Sequence, residues 1–208
     1  MKNVIVIGVG KGLGKYLIKN LSDFDQKISV SRSEQTDIQS SLHLKTDVYN
    51  LSNSIDCLNK ESISLVVYIP SEWWESWDVK LDEFEKFIST GPKGLLSCTE
   101  TLINKNLLTK DALIVSIGST ASEEAMSVRN NSAHPIYSIA KITQKALVSQ
   151  LARANKNLRF STITLGSIGT DETGVGYKNI QKTIEYLFSL SPWVWYSEIE
   201  LSAKSDIK

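Results

Sequence analysis

The chain has 208 residues, is 41% hydrophobic and 22% charged, and carries 23 basic against 23 acidic side chains, so its net charge is zero. That balance suits one soluble globular domain spanning 1–208 and excludes a disordered tail, a collagen-like repeat and a membrane bundle. Duplex-binding domains carry a basic excess, so nucleic acid is not expected as a partner. Two cysteines, Cys57 and Cys98, without CxxC spacing provide neither a disulfide framework nor a metal site. Lys11 interrupts the N-terminal apolar run too early for a secretory leader. No window approaches the roughly 18 apolar residues of a spanning helix, so a cytoplasmic protein is expected.

Val4–Ile7 is a β-branched run bounded by glycine, which predicts a buried parallel strand, and Lys15–Leu21 follows with helical spacing. Ile28–Ser31 reads as a second strand and the region around Leu44 as a third. Ser52–Leu58 reads as a helix, and Leu65–Ile69 as a buried strand stopped by Pro70. Leu81–Asn104 is helical in pattern, but Gly91-Pro92 should break or kink it. Leu113–Ile117 is the next strand. Pro135–Ala154 carries apolar residues at helical intervals. Phe160–Leu165 is strand-like, Ile180–Phe188 helical, and Glu198–Leu201 a last strand. Strands alternating with helices predict an open, mostly parallel α/β sheet.

The first strand runs directly into Gly8-Val9-Gly10-Lys11-Gly12-Leu13-Gly14. Glycines at a strand-to-helix junction allow a tight turn and close approach to a phosphate, which the N–H groups at the helix start then face. GxGxxG fails in both registers, since it needs glycine at Leu13 or at Lys15. Only GxxxGxG fits, through Gly8, Gly12 and Gly14. Further along, Tyr137-Ser138-Ile139-Ala140-Lys141 forms a YxxxK pattern at the start of a long helix, where residues four apart share a face. Upstream, Ile114-Val115-Ser116-Ile117-Gly118-Ser119 ends a strand in a hydroxyl, and Ser122 is a nearby alternative.

In this order and spacing the motifs resemble the short-chain dehydrogenase/reductase family, with Ile7 standing where the family usually has threonine. The resemblance covers nearly the whole chain, from Gly8 through Thr170 and more loosely to the last strand. It implies a Rossmann-like doubly wound parallel sheet of strand order 3-2-1-4-5-6-7 with helices on both faces. It also implies an oxidoreductase that reduces a small-molecule carbonyl, or oxidises the alcohol, by hydride transfer. Ser119, Tyr137 and Lys141 take the catalytic positions. Tyr137 would exchange the proton, Ser119 would steady the carbonyl oxygen, and Lys141 would lower the tyrosine pKa and hold the cofactor.

At the end of the second strand stands Ser31-Arg32-Ser33, with no carboxylate before Glu34. A guanidinium between hydroxyls suits a phosphate, and Lys11 in the glycine loop adds a second cation; both favour NADP(H) over NAD(H). By resemblance Asp47-Val48 contacts the adenine, and Ile168 and Thr170, in Leu165–Thr170, lie near the nicotinamide. Leu13 belongs to the phosphate loop with its glycines.

The pattern also departs from the family. Tyr68-Ile69-Pro70-Ser71 replaces N-A-G, and the position of the family's fourth catalytic residue, an asparagine, falls at or near Gly91. Trp73, Trp74, Trp77 and His134 are candidates for the substrate pocket, with packing or a subunit contact as the alternative. Asp171–Tyr177 is a candidate lid, Trp193 and Trp195 are expected to pack, and His43 is read as strand packing or surface. Family members often form dimers or tetramers through the helices placed here at Leu81–Asn104 and Pro135–Ala154, so a homo-oligomer is expected. Two other readings stay open. One is an NADP(H)-binding regulator or scaffold with little turnover; the other is a nucleotide-sugar epimerase or dehydratase.

Overall fold

The computed structural model describes residues 2–34, 40–72, 80–124, 135–169, 174–203 and 206. Its strands are β1 (Asn3–Ile7), β2 (Gln26–Ser31), β3 (Leu42–Lys45), β4 (Ile63–Tyr68), β5 (Leu108–Ser119), β6 (Arg159–Leu165) and β7 (Glu198–Leu201). They form one parallel sheet of order β3-β2-β1-β4-β5-β6-β7, the arrangement the motifs implied. The order reverses between β1 and β4. A crevice opens there beyond the carboxyl ends of the strands, and ligands bind such sheets at that point.

The inner strands β1 and β4 are largely apolar and buried almost throughout because both sheet faces are covered there. Successive side chains alternate between two cores. On one face Ile5, Ile7, Ile28, Val30, Val66, Ile114 and Phe160 pack against Leu51, Leu95, Leu102 and Val148. Those partners come from α2 (Leu51–Ser54), α4 (Gly94–Asn104) and α6 (Pro135–Ala154). On the other face Val4, Val6, Leu65, Val67, Val115 and Ile163 meet Leu17, Ile18, Ile180 and Ile184. These belong to α1 (Leu13–Asn20) and α7 (Tyr177–Ser189). A smaller cluster joins Phe87 of α3 (Leu81–Ile88) to Ile136 and Ala140 of α6.

Three expectations change. The Ser52–Leu58 helix is a single turn, α2, since Asn50 caps it without a side-chain bond and the chain leaves helical geometry at Ile55. Gly91-Pro92 does not break its helix. Ser89–Lys93 forms a π-helical turn that carries Pro92 and joins α3 to α4 without interruption. A π turn leaves carbonyls without their ordinary partners, and two distant tyrosines supply donors: Tyr68 Oη donates to Thr90 O at 2.5 Å and Tyr49 Oη to Ser89 O. Trp193 does not pack within the chain, being 94% exposed, while Trp195 is half-buried and its indole N–H donates to Phe160 O.

Candidate active site

The glycine loop is built by contact. Gly8 adopts φ +93°, which favours glycine, and a Cβ there would also lie tightly, 3.0 Å, against Pro70 Cδ. At Gly14 a Cβ would lie 2.5 Å from Gly8 O, which lets the first turn of α1 sit against the loop. The N–H groups of Gly8 and Val9 both donate to Val30 O at 3.0 Å, locking the turn onto the end of β2. Gly12 caps α1 without a side-chain bond, and no acid occupies the first turn. The helix start, with Lys11, Gly12, Leu13 and Gly14, therefore presents N–H groups and positive potential beyond the sheet edge.

Beside this loop lies a cleft of about 500 Å³. Gly8, Val9 and Gly10 line one side, Ser31-Arg32-Ser33 and Thr46-Asp47-Val48-Tyr49 the other, and Ile69-Pro70-Ser71 with Thr90 the inner end. Ser31 Oγ donates to Ser33 O at 2.7 Å, and His43 Nε2 reaches the same oxygen at 3.2 Å. A carbonyl only accepts, so Nε2 carries the proton, and Nδ1 faces Ser29 Oγ at 2.8 Å. His43, half-buried on β3, is also a strut behind the bend that presents Arg32. Glu34, the nearest carboxylate along the chain, is paired with Lys45 at 3.4 Å.

Asp47 Oδ1 accepts from the N–H groups of Tyr49 and Asn50 at 2.8 and 2.9 Å, and Oδ2 accepts from Asn50 Nδ2 at 2.8 Å. Burial pushes its pKa up. The Asn50 bonds, the Tyr49 N–H and the Arg32 charge outweigh that and hold the carboxyl below its ordinary value. The carboxylate orders its own loop at the cleft wall.

Next to Ser71, which lines the cleft, the ends of β4 and β5 and the start of α6 bring four side chains together. The Tyr137 hydroxyl is hydrogen-bonded to Ser119 and Ser71, and its ring meets Phe87 edge-on at 6.3 Å. Lys141, one turn along α6, is buried; its Nζ donates to Ile117 O at 3.0 Å and lies 5.6 Å from the Tyr137 ring centroid. Ser122 is buried with no hydrogen-bond partner for its hydroxyl among the described residues, and Ser119 is the serine bonded to the tyrosine. Ser71 escaped the sequence reading because it falls where the family has the glycine of N-A-G. Its place just past a strand that ends at the switch point was the available signal.

The ionisation differs from the expected one. Burial pushes the Tyr137 phenol up, and the bonds from Ser119 and Ser71 only partly offset it. Burial pushes Lys141 down to about 8. Desolvation penalises both charged forms more than this geometry rewards them. Tyr137 is therefore held as a neutral phenol at neutral pH, and Lys141 does not convert it to phenolate in the free protein.

Ile168 is half-exposed and bridges to Val175. The loop following β6 is clamped from the far end of the chain, where Asp206 accepts from Ser167 N–H and Oγ–H at 3.1 and 2.8 Å. Trp73, Trp74, Trp77, His134, Thr170 and the first three residues of the candidate lid, Asp171, Glu172 and Thr173, lie outside the described residues. Among the described residues no cluster could hold a metal ion and no helix is long and apolar enough to cross a membrane.

No protein-family model and no curated relative matches the chain. Solved structures do. Serine dehydrogenase from Escherichia coli superimposes with a TM-score of 0.79 at 17% identity, covering 98% of each chain. A Pseudomonas aeruginosa RhlG/NADP active-site complex gives 0.79 at 14% identity over 96% of this chain and 94% of that one. A short-chain dehydrogenase/reductase from Serratia marcescens gives 0.75 at 13% identity over 96% of both. The chain has the fold of the short-chain dehydrogenase/reductases along nearly its full length.

Proposed function

We propose that the protein is an NADP(H)-dependent short-chain dehydrogenase/reductase that reduces the carbonyl of a small molecule or oxidises the corresponding alcohol. The observation that carries this reading is the Tyr137 hydroxyl, bonded to Ser119 and to Ser71, with Lys141 one turn along the same helix and Ser71 itself lining the cleft beside the glycine loop. The neighbours named as dehydrogenases, and the one named as an NADP complex, support the same reading by fold.

The cleft fits the adenosine half of a dinucleotide. Backbone from Gly8 to Gly10 forms one wall, and the start of α1 offers N–H groups to a pyrophosphate. Arg32, between Ser31 and Ser33, suits a ribose phosphate, and Lys45 draws Glu34 into an ion pair. Val48 supplies an apolar wall beside the Asp47 loop. When bound, the nicotinamide supplies or accepts the hydride.

The remaining chemistry belongs to the chain. Tyr137, kept protonated by burial, donates its proton to a carbonyl oxygen that becomes an alkoxide. Ser119, already bonded to that hydroxyl, donates to the same oxygen as charge develops, and Ser71 gives a second hydroxyl at the phenol. Lys141 is fixed by the Ile117 carbonyl and provides the nearest ammonium.

Titration of tryptophan fluorescence with NADPH and NADH tests the cofactor assignment. The expected result is preferential NADPH binding that Arg32→Ala abolishes; equal or preferential NADH binding overturns it. Tyr137→Phe separates an enzyme from a cofactor-binding regulator, which the glycine at position 91 would otherwise favour. An enzyme loses turnover on an activated dicarbonyl and keeps NADPH binding.

A further inference from the structure

We infer that Gln144 is a positioning residue of this site, an amide that occupies the volume left by the glycine at position 91 and acts on the reaction through Lys141. The inference rests on the reading just given. Gln144 lies on α6 three residues after Lys141 and seven after Tyr137, so the three side chains share one helical face. It is 2% exposed. Its Nε2 donates to Ser116 Oγ at 2.7 Å and to Ile117 O at 3.4 Å, and Ile117 O is the oxygen that also accepts from Lys141 Nζ. In this orientation Nε2 gives a hydrogen to each of two acceptors, whereas the reversed amide would set Oε1 against the Ile117 carbonyl.

That orientation leaves Oε1 buried without a donor among the described residues. It faces the π turn, since a Cβ on Gly91 would lie 3.3 Å from it. A buried acceptor with no donor is costly, and a methionine of similar volume would fill the space without that cost. The amide is thus equipped to accept from an N–H or O–H donor that enters during the reaction. Each carbonyl reduced takes one proton from Tyr137, and solvent must return it. Lys141 is the buried acid nearest the tyrosine, and a water held by Oε1 would pass a proton to the Lys141 amine as the ammonium passes one to the phenolate.

Two readouts test this. In lysine-labelled protein the Lys141 NMR signal, identified by its loss in Lys141→Met, reports the ammonium directly and needs no substrate. Gln144→Met is expected to lower the Lys141 pKa by about one unit, and Gly91→Asn/Gln144→Ala, which returns an amide to that volume from the other side, to restore it. With NADPH and 2,3-butanedione as the probe, Gln144→Met should lose about tenfold in kcat at unchanged KM for NADPH, and the double variant should recover most of it. An unmoved Lys141 titration, or a double variant no better than Gln144→Met, overturns the inference. Should Gln144→Met fail to fold, Gln144→Ala takes its place as the single variant, and a double variant no better than Gln144→Ala overturns the inference. Failure of the wild type to bind NADPH would overturn the reductase reading, while the NMR titration would still decide the link between Gln144 and Lys141.

Discussion

Replacing Lys141 by methionine isolates the energetics of the buried ammonium. Lys141 is enclosed by protein, and burial lowers its pKa from 10.5 to about 8. A lysine whose folded pKa is depressed binds fewer protons in the folded state than in the unfolded one between those two values. Its contribution to stability is therefore fully present above the unfolded pKa and is lost as pH falls through the folded one. Each pH unit over which the folded state holds one proton fewer is worth about 1.4 kcal/mol. The wild type therefore gains about 2 kcal/mol from this group between pH 7 and pH 9.5, and Lys141→Met gains none. Other titrating groups are common to both proteins and cancel in the difference. The bond to Ile117 O offsets the whole difference by a constant, and Gln144 still donates to that carbonyl in the variant. Urea denaturation across the pH range measures it: Lys141→Met should be favoured relative to wild type at pH 7 by about 2 kcal/mol more than at pH 9.5. Parallel stability curves would refute the claim that Lys141 is folded into the core at this cost.

Tyr137→Phe should cut turnover on an activated dicarbonyl by about 100-fold or more while the NADPH titration is unchanged, because only the acid is removed. Arg32→Ala should weaken NADPH by about tenfold or more and leave NADH nearly unaffected, as read by fluorescence, since the lost contact is to the extra phosphate. Gly14→Ala forces a methyl group 2.5 Å from Gly8 O, so both thermal stability and NADPH affinity should fall together. Tyr68→Phe leaves Thr90 O without its donor and should cost about 1–3 kcal/mol in urea denaturation.

The strands were legible in the sequence because both sheet faces are buried, which turns Val4–Ile7 and Leu65–Val67 into unmistakable apolar runs. The Pro135–Ala154 helix was legible because its apolar positions keep one period along its whole length. Ser119, Tyr137 and Lys141 could be named because they fall at a strand end and a helix start, and the fold brings the Tyr137 hydroxyl to Ser119 with Lys141 one turn further along the same helix. What remained hidden depends on partners far away in sequence. Pro92 predicts a break by its own chemistry, and the hydroxyls of Tyr49 and Tyr68 that donate to carbonyls of the π turn come from far away in sequence. The ionisation of Tyr137 and Lys141 follows burial by several elements at once, which no local spacing encodes. Ser71 stayed hidden because a serine after Pro70 belongs to no motif of its own, and its partner Tyr137 lies far along the chain.

The two departures from the resembled pattern, at Tyr68–Ser71 and at Gly91, meet at the π turn. Tyr68 reaches from β4 to the π turn and satisfies Thr90 O, and it fits because position 94 is glycine, where a Cβ would collide with the tyrosine hydroxyl. Pro70 packs onto Gly8 and so holds the phosphate loop from the same strand end. Ser71 then emerges beside Tyr137 and adds a hydroxyl that a glycine could not supply. On the other side of the π turn, Gly91 leaves room for the Gln144 amide, which shares the Ile117 carbonyl with Lys141. Restoring a single family residue should therefore harm this site rather than repair it. Gly91→Asn alone would press its side chain against Gln144 Oε1, which a Cβ already approaches to 3.3 Å. It should lower stability and kcat together, whereas pairing it with Gln144→Ala relieves both. Improvement by Gly91→Asn alone would show that the two positions are independent.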